Sequence, residues 1–140
     1  MRTLLICLLL IAAGCGNRLP RPVEIEATDM CEQCKMAISE KRYAAEIADV
    51  DENVIKFDNI DCMVRYAAAH GLKAKASAWF VMDSDGREWL DARQAFLVKS
   101  GLIPGPMGSG VLAIKDSAGA EDLARRFSGR VLRFEDLWRQ

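Results

Sequence analysis

The 140-residue chain has one histidine, His70, so imidazole chemistry has a single candidate. It has no arginine-rich segment and no basic stripe, and its formal charge is −1, so nucleic acid is excluded as a partner. It has no Ser/His/Asp set, no glycine loop shaped for phosphate and no paired acids at a catalytic spacing, so no catalytic residue is assigned. Asp83, Asp85 and Gly86 read as a turn, because no twelve-residue calcium-ligand pattern follows them.

One apolar run is present, at residues 4–13, preceded by Arg2. It is too short for a permanent membrane span and fits an export signal over residues 1–14. Ala12-Ala13-Gly14 places small residues before Cys15, the layout of a lipoprotein cleavage site, with Ala12 where leucine is usual. Cys15 is therefore expected to become the first residue and carry lipid, anchoring the chain to a membrane. Gly16 after it, rather than Asp, points to the outer membrane of a two-membrane cell. Residues 15–24 are polar, contain two prolines and read as a tether. Residues 25–140 are then one small domain.

The domain reads as α+β. Tyr43, Ala45 and Ile47 alternate with Ala44, Glu46 and Ala48, the period of a strand. The turn Asp51-Glu52-Asn53 leads to a returning strand over 54–57. Asp58 or Asn59 caps a helix whose Ile60, Met63, Val64 and Ala67 form one apolar stripe, and Gly71 ends it. A strand is expected at 78–82 and another within 89–98, most clearly at 95–98. After the long loop 100–110 comes a strand at 111–114. Ser117 or Asp116 then caps a helix with Ala120, Leu123, Ala124 and Phe127 on one face, stopped by Gly129. A last strand spans 131–134, before a terminal turn. The order gives two similar ββαβ units, with Met63, Trp79, Trp89, Phe96 and Phe127 assigned to the core.

Of five cysteines, Cys7 leaves with the signal and Cys15 is the lipid site, which leaves Cys31, Cys34 and Cys62. Three thiols cannot all pair within one chain. Cys31-Glu32-Gln33-Cys34-Lys35-Met36 sets two thiols close together with a thioether two residues on. Soft donors of this kind suit Cu(I), whereas methionine suits zinc poorly. A structural disulfide or a redox pair has the same spacing, and Met30 and Met36 as core packing are equally compatible with it. Met107 lies among the prolines and glycines of the 100–110 loop, which can fix a side chain without burying it. Cys62 lies off the apolar stripe, in the first helical turn, where the helix dipole lowers a thiol pKa. It lines the site or is a partly exposed bystander. His70, at the helix C-terminus, has a sufficient structural role there.

These segments, with Lys56-Phe57-Asp58-Asn59-Ile60-Asp61-Cys62-Met63, Trp89-Leu90-Asp91-Ala92, Pro106-Met107-Gly108 and Gly129-Arg130-Val131-Leu132, resemble the nitrous oxide reductase accessory lipoproteins, the NosL family. The resemblance runs from Asp29 to Trp138. It implies a periplasmic Cu(I) chaperone that supplies the copper–sulfide centre of nitrous oxide reductase through an ABC-type transporter complex, or serves another copper enzyme. It also implies a fold of two ββαβ units, partly similar to organomercurial lyase. Cys34, Met36 and Met107 match the family's soft-ligand motifs, and Cys31 and Cys62 match less uniform positions. Many members have glycine at the position of Lys35, and some use a histidine for which only His70 is available here.

The competing class is a thiol enzyme using Cys31 and Cys34. Against disulfide exchange, the Cys-X-X-Cys does not open a helix after a strand. Against carbon–mercury cleavage, the sequence offers no convincing acid beside a cysteine pair. A structural disulfide domain that binds nothing is the third possibility.

Overall fold

The computed structural model describes residues 19–49, 51, 53–76 and 78–139. The signal reading at 1–14 and the lipid site at Cys15 lie outside the described residues. Among these, no helix is long and apolar enough to cross a membrane.

Seven strands form two antiparallel sheets. β1 (Ala45–Ala48), β2 (Val54–Phe57), α1 (Ile60–Ala69) and β3 (Ala78–Met82) make the first ββαβ unit, and β4 (Trp89–Asp91) extends its sheet. β5 (Phe96–Lys99), β6 (Val111–Ile114), α2 (Ser117–Arg126) and β7 (Arg130–Leu132) make the second. The sheet orders are β2-β1-β3-β4 and β6-β5-β7. In each unit the first strand is therefore central, flanked by its hairpin partner and by the strand that follows the helix. The registers correspond, with Ala45 opposite Phe57 and Val81, and Leu97 opposite Ala113 and Leu132. A parallel bridge between Asp83 and Ala113 joins the two sheets.

The helices begin and end for local reasons. Asn59 caps α1 by accepting from the Cys62 N–H at 2.8 Å, and Asp116 caps α2 by accepting from Gly119 N–H at 2.9 Å. Each such cap contributes about 1 kcal/mol. At the C-termini Leu72 N–H bonds to Ala67 O and Gly129 N–H to Ala124 O, the six-to-one closure of a Schellman motif. Gly71 takes the left-handed residue of the first motif (φ 64°). In the second that residue is Ser128 (φ 48°), not Gly129. Gly129 is required instead because a Cβ there would lie 2.8 Å from Lys99 O.

The main core joins both units: Phe57, Met63, Trp79, Val81, Leu97, Val111 and Phe134 belong to one buried cluster. A smaller cluster under α2 gathers Tyr43, Val98, Ile103, Leu112 and Ala120. Trp79 is buried and its ring meets Phe134 and Trp138, so truncating it to alanine would cost about 3–5 kcal/mol. Trp89, Phe96 and Phe127 are only partly buried, because each lies at the margin of a cluster.

Three expectations change. Tyr43 belongs to a single-turn 3₁₀ helix (Lys41–Tyr43) before β1. The stretch 89–98 holds two strands in different sheets, divided by a turn at Ala92-Arg93-Gln94. The last strand ends at Leu132, since Phe134 starts a 3₁₀ turn that packs into the core. β1 is also buried on all four residues, including Glu46, because both faces of the sheet are covered. Part of that cover is the segment assigned to the tether. Val23 N–H donates to Glu46 Oε2 at 2.9 Å, Trp89 Nε1 donates to Val23 O at 3.1 Å, and Lys56 Nζ donates to Glu24 O at 2.9 Å.

Candidate metal centre

The segment before β1 and the junction of β2 with α1 together bring four ligand-bearing side chains to one place. Residues 29–38 fold back on themselves: Met30 bridges Ala37, Ile38 N–H bonds to Asp29 O, and Cys31 N–H to Met36 O at 2.8 Å. Lys35 N–H bonds to Cys31 O at 2.9 Å and closes the turn, with Lys35 in the left-handed region (φ 61°). Cys31 and Cys34 lie within this turn. Glu32 N–H donates to Lys56 O at 2.9 Å, which holds the turn against the end of β2. The chain leaves β2 at Phe57, so Asp58 follows the strand end and Cys62 lies in the first turn of α1.

The Sγ atoms of Cys31, Cys34 and Cys62 and a carboxylate oxygen of Asp58 all lie within 4.8 Å of one another. Cys31, Cys62 and Asp58 are buried and Cys34 is half-buried, so the cluster opens to solvent on the Cys34 side. All three cysteines are free thiols, and Cys34 Sγ donates to Asp58 Oδ2 at 3.5 Å.

The cluster divides charge unequally. A hydrogen bond from Cys62 holds the Cys31 thiol down at about 6; burial opposes this, and backbone N–H groups of Asp58 and Cys34 support it. The same bond, with burial and the nearby negative charges, pushes the Cys62 thiol well up. Burial raises the Cys34 thiol as well. At neutral pH one thiolate therefore sits among two protonated thiols. Sulfur donors so arranged fit a soft cation of low charge, whose binding would displace the remaining thiol protons.

Cys62 lines the cluster, one of its two sequence readings, and departs from the other and from the helix-dipole expectation. It is buried rather than exposed, because the 29–38 turn covers a second face of the first turn of α1. Its pKa is raised, because contact with Cys31 and burial outweigh the helix dipole. Asp58 is legible in the sequence as a residue beside a cap but not as a member of the cluster, and its place there supplies the acid beside a cysteine pair that the sequence reading did not find. Its one signal is its place at a strand end immediately before a helix start.

The two methionines stand outside the buried set. Met36 is 50% exposed, and its carbonyl receives the Cys31 N–H. Met107 is 60% exposed and has φ 56° within a short 3₁₀ turn (Pro106–Gly108). Its loop is pinned at several points. Ser100 N–H bonds to Gly110 O, and a Cβ on Gly110 would lie 2.3 Å from Ser100 O. Tyr43 Oη donates to Pro104 O. Asn59 Nδ2 donates to Pro106 O at 3.3 Å, which moors the loop beside the residue that precedes α1. His70 lies eight residues after Cys62, about 12 Å along the helix axis. Its Nδ1 is 2.8 Å from Tyr66 O and its ring stacks on Tyr66, so it caps the far end of α1.

No curated protein matches the chain. Among solved structures, the crystal structure of the copper chaperone NosL from Shewanella denitrificans superposes with a TM-score of 0.73. It covers 82% of this chain and 93% of that one at 20% identity, a likeness of fold. The sequence model of the NosL family matches residues 22–140, which takes in both sheets and all four clustered side chains. The chain belongs to the NosL family.

Proposed function

We propose that this protein is an extracytoplasmic metallochaperone that carries one Cu(I) and releases it to a copper enzyme under assembly, without catalytic turnover. The observation that carries this reading is the gathering of three free cysteine sulfurs within 4.8 Å, two of them buried and one open to solvent. Cys31, Cys34 and Cys62 are the inner donors, and Met36 and Met107 the outer ones. Buried thiolates favour retention of a soft monovalent ion, and exposed thioethers favour its exchange. An incoming sulfur ligand would replace an outer donor first and then draw the ion past Cys34. The crystallised fold relative is described as a copper chaperone, which supports carriage over catalysis.

The client we assign is nitrous oxide reductase, through assembly of its copper–sulfide centre, with an ABC-type transporter complex as the intermediary. Family membership supports that assignment. Lipidation at Cys15 would hold the domain at the periplasmic face of the outer membrane, within reach of that machinery. The thiol-oxidoreductase alternative is disfavoured by the position of Cys31 and Cys34 in a closed turn rather than at a helix start.

Anaerobic titration of the reduced mature chain with Cu(I), against a chromophoric Cu(I) chelator, tests the reading. One equivalent is taken up, and uptake weakens when Cys34 is replaced by serine. A chain that takes no Cu(I) from the chelator would refute it, and insulin reduction that survives Met36→Ala and Met107→Ala would favour the oxidoreductase.

A further inference from the structure

Asn59 is fully buried, and each polar atom of its side chain is in use. Its Oδ1 accepts from Cys62 N–H at 2.8 Å. Its Nδ2 donates to Asp58 Oδ1 at 3.0 Å and to Pro106 O at 3.3 Å. The first two bonds stay within the segment that builds the cluster. The third crosses 47 residues to the loop that carries Met107. A serine or an aspartate would cap α1 equally well. Neither has an amide donor, so capping alone does not account for asparagine here.

The loop needs a holder. Met107 has a left-handed backbone (φ 56°), and non-glycine residues remain there only where the surroundings impose it. Its side chain is mostly exposed and so contributes little packing to hold it. The bond from Asn59 reaches the carbonyl immediately before it.

We propose that Asn59 is a positioning residue that couples the two halves of the copper site: one side chain orients Cys62 and Asp58 and also moors the Met107 loop beside them. This rests on the chaperone reading of the cluster. Asn59 touches no metal. It sets the distance between the inner sulfurs and the outer thioether, the role that groups behind a metal's own ligands play elsewhere.

The test is a double-mutant cycle on the mature chain with two readouts. Asn59→Ser retains the cap and removes both amide bonds. It is expected to weaken Cu(I) binding by about tenfold in the parent and by clearly less in Met107→Ala, where only the loss of the Asp58 bond still counts. An equal loss in both backgrounds would overturn the proposal, because Asn59 would then act through Asp58 or the fold alone. The second readout needs no copper. With methionines labelled at the methyl carbon, Asn59→Ser is expected to move and sharpen the Met107 signal in the metal-free protein while buried Met63 stays put. An unmoved Met107 signal would also overturn the proposal. If Met107→Ala leaves Cu(I) binding unchanged, the ligand assignment fails while the methyl spectrum still decides the role of Asn59. Asn59→Thr, which also keeps the cap and adds no charge, is the substitute if the serine variant does not fold, with the same outcomes.

Discussion

The sulfurs of Cys31 and Cys62, separated by 31 positions in the chain, lie within 4.8 Å of each other, close enough for the Cys62 thiol to hold a thiolate at Cys31, which lowers one and raises the other. Neither element makes this pair alone: the 29–38 turn supplies the acceptor and the first turn of α1 the donor. Removing the donor should raise Cys31. In Cys62→Ala, the midpoint of ultraviolet thiolate absorbance is expected to move from about 6 toward the ordinary thiol value. A midpoint unchanged in the variant would assign the low value to the backbone N–H groups of Asp58 and Cys34 instead.

Lys35 adopts a left-handed conformation that suits glycine. Lys35→Gly relieves a left-handed strain of about 1–2 kcal/mol. Against this stand the entropy of glycine, about 0.5–1 kcal/mol, and an exposed pair with Glu32 of about 0.5 kcal/mol. The terms nearly cancel, and a net gain of about 0.25 kcal/mol is expected, read as a slightly higher urea midpoint at unchanged slope.

Glu46 gives the fold a pH dependence of its own. Burial raises its carboxyl to about 7, and Val23 N–H is its one partner, with Oε1 left without one. A folded pKa above the unfolded value means that the folded state holds the proton more tightly. The stabilisation is complete below about 4.5 and is lost as pH rises through 7. The change amounts to up to about 3 kcal/mol. Glu46→Gln should abolish this slope and be the more stable form above pH 7 in urea unfolding at stepped pH.

Copper should stabilise the chain by mass action. At a free Cu(I) level one hundred times the dissociation constant, the gain is about 2.7 kcal/mol. A chelator that strips the ion should return the urea midpoint to the metal-free value. In a chain lacking Cys34 the difference between the two midpoints should shrink, and an undiminished difference would place the ion elsewhere.

Much of this was readable beforehand. The spans of β2, β3 and β6, the Asn59 and Asp116 caps and Gly71 as the end of α1 follow from local chemistry, and the structure has them there. β4 and β5 merged in the reading because both are short and three turn residues divide them. The burial of Cys62 was not legible, since a helical wheel counts only the helix's own stripe and the covering turn lies 31 residues earlier. Asp58 and Glu46 escaped for a related reason. An acid beside a cap, or at a strand's polar position, ordinarily faces water, and only tertiary cover turns it inward.

On the proposal that Cys15 carries lipid, the grip of Glu46 and Trp89 on Val23 would set how far the candidate metal centre can travel from a bilayer. With Cys15 held by lipid, eight residues separate the anchor from this clamp, a leash of at most about 28 Å. The clamp also fixes where the leash enters, between Glu46 on the central strand of the first sheet and Trp89 on its edge strand. Loss of the clamp would lengthen the leash and free the domain to rotate, so membrane geometry and the protonation of one interior carboxyl become connected quantities.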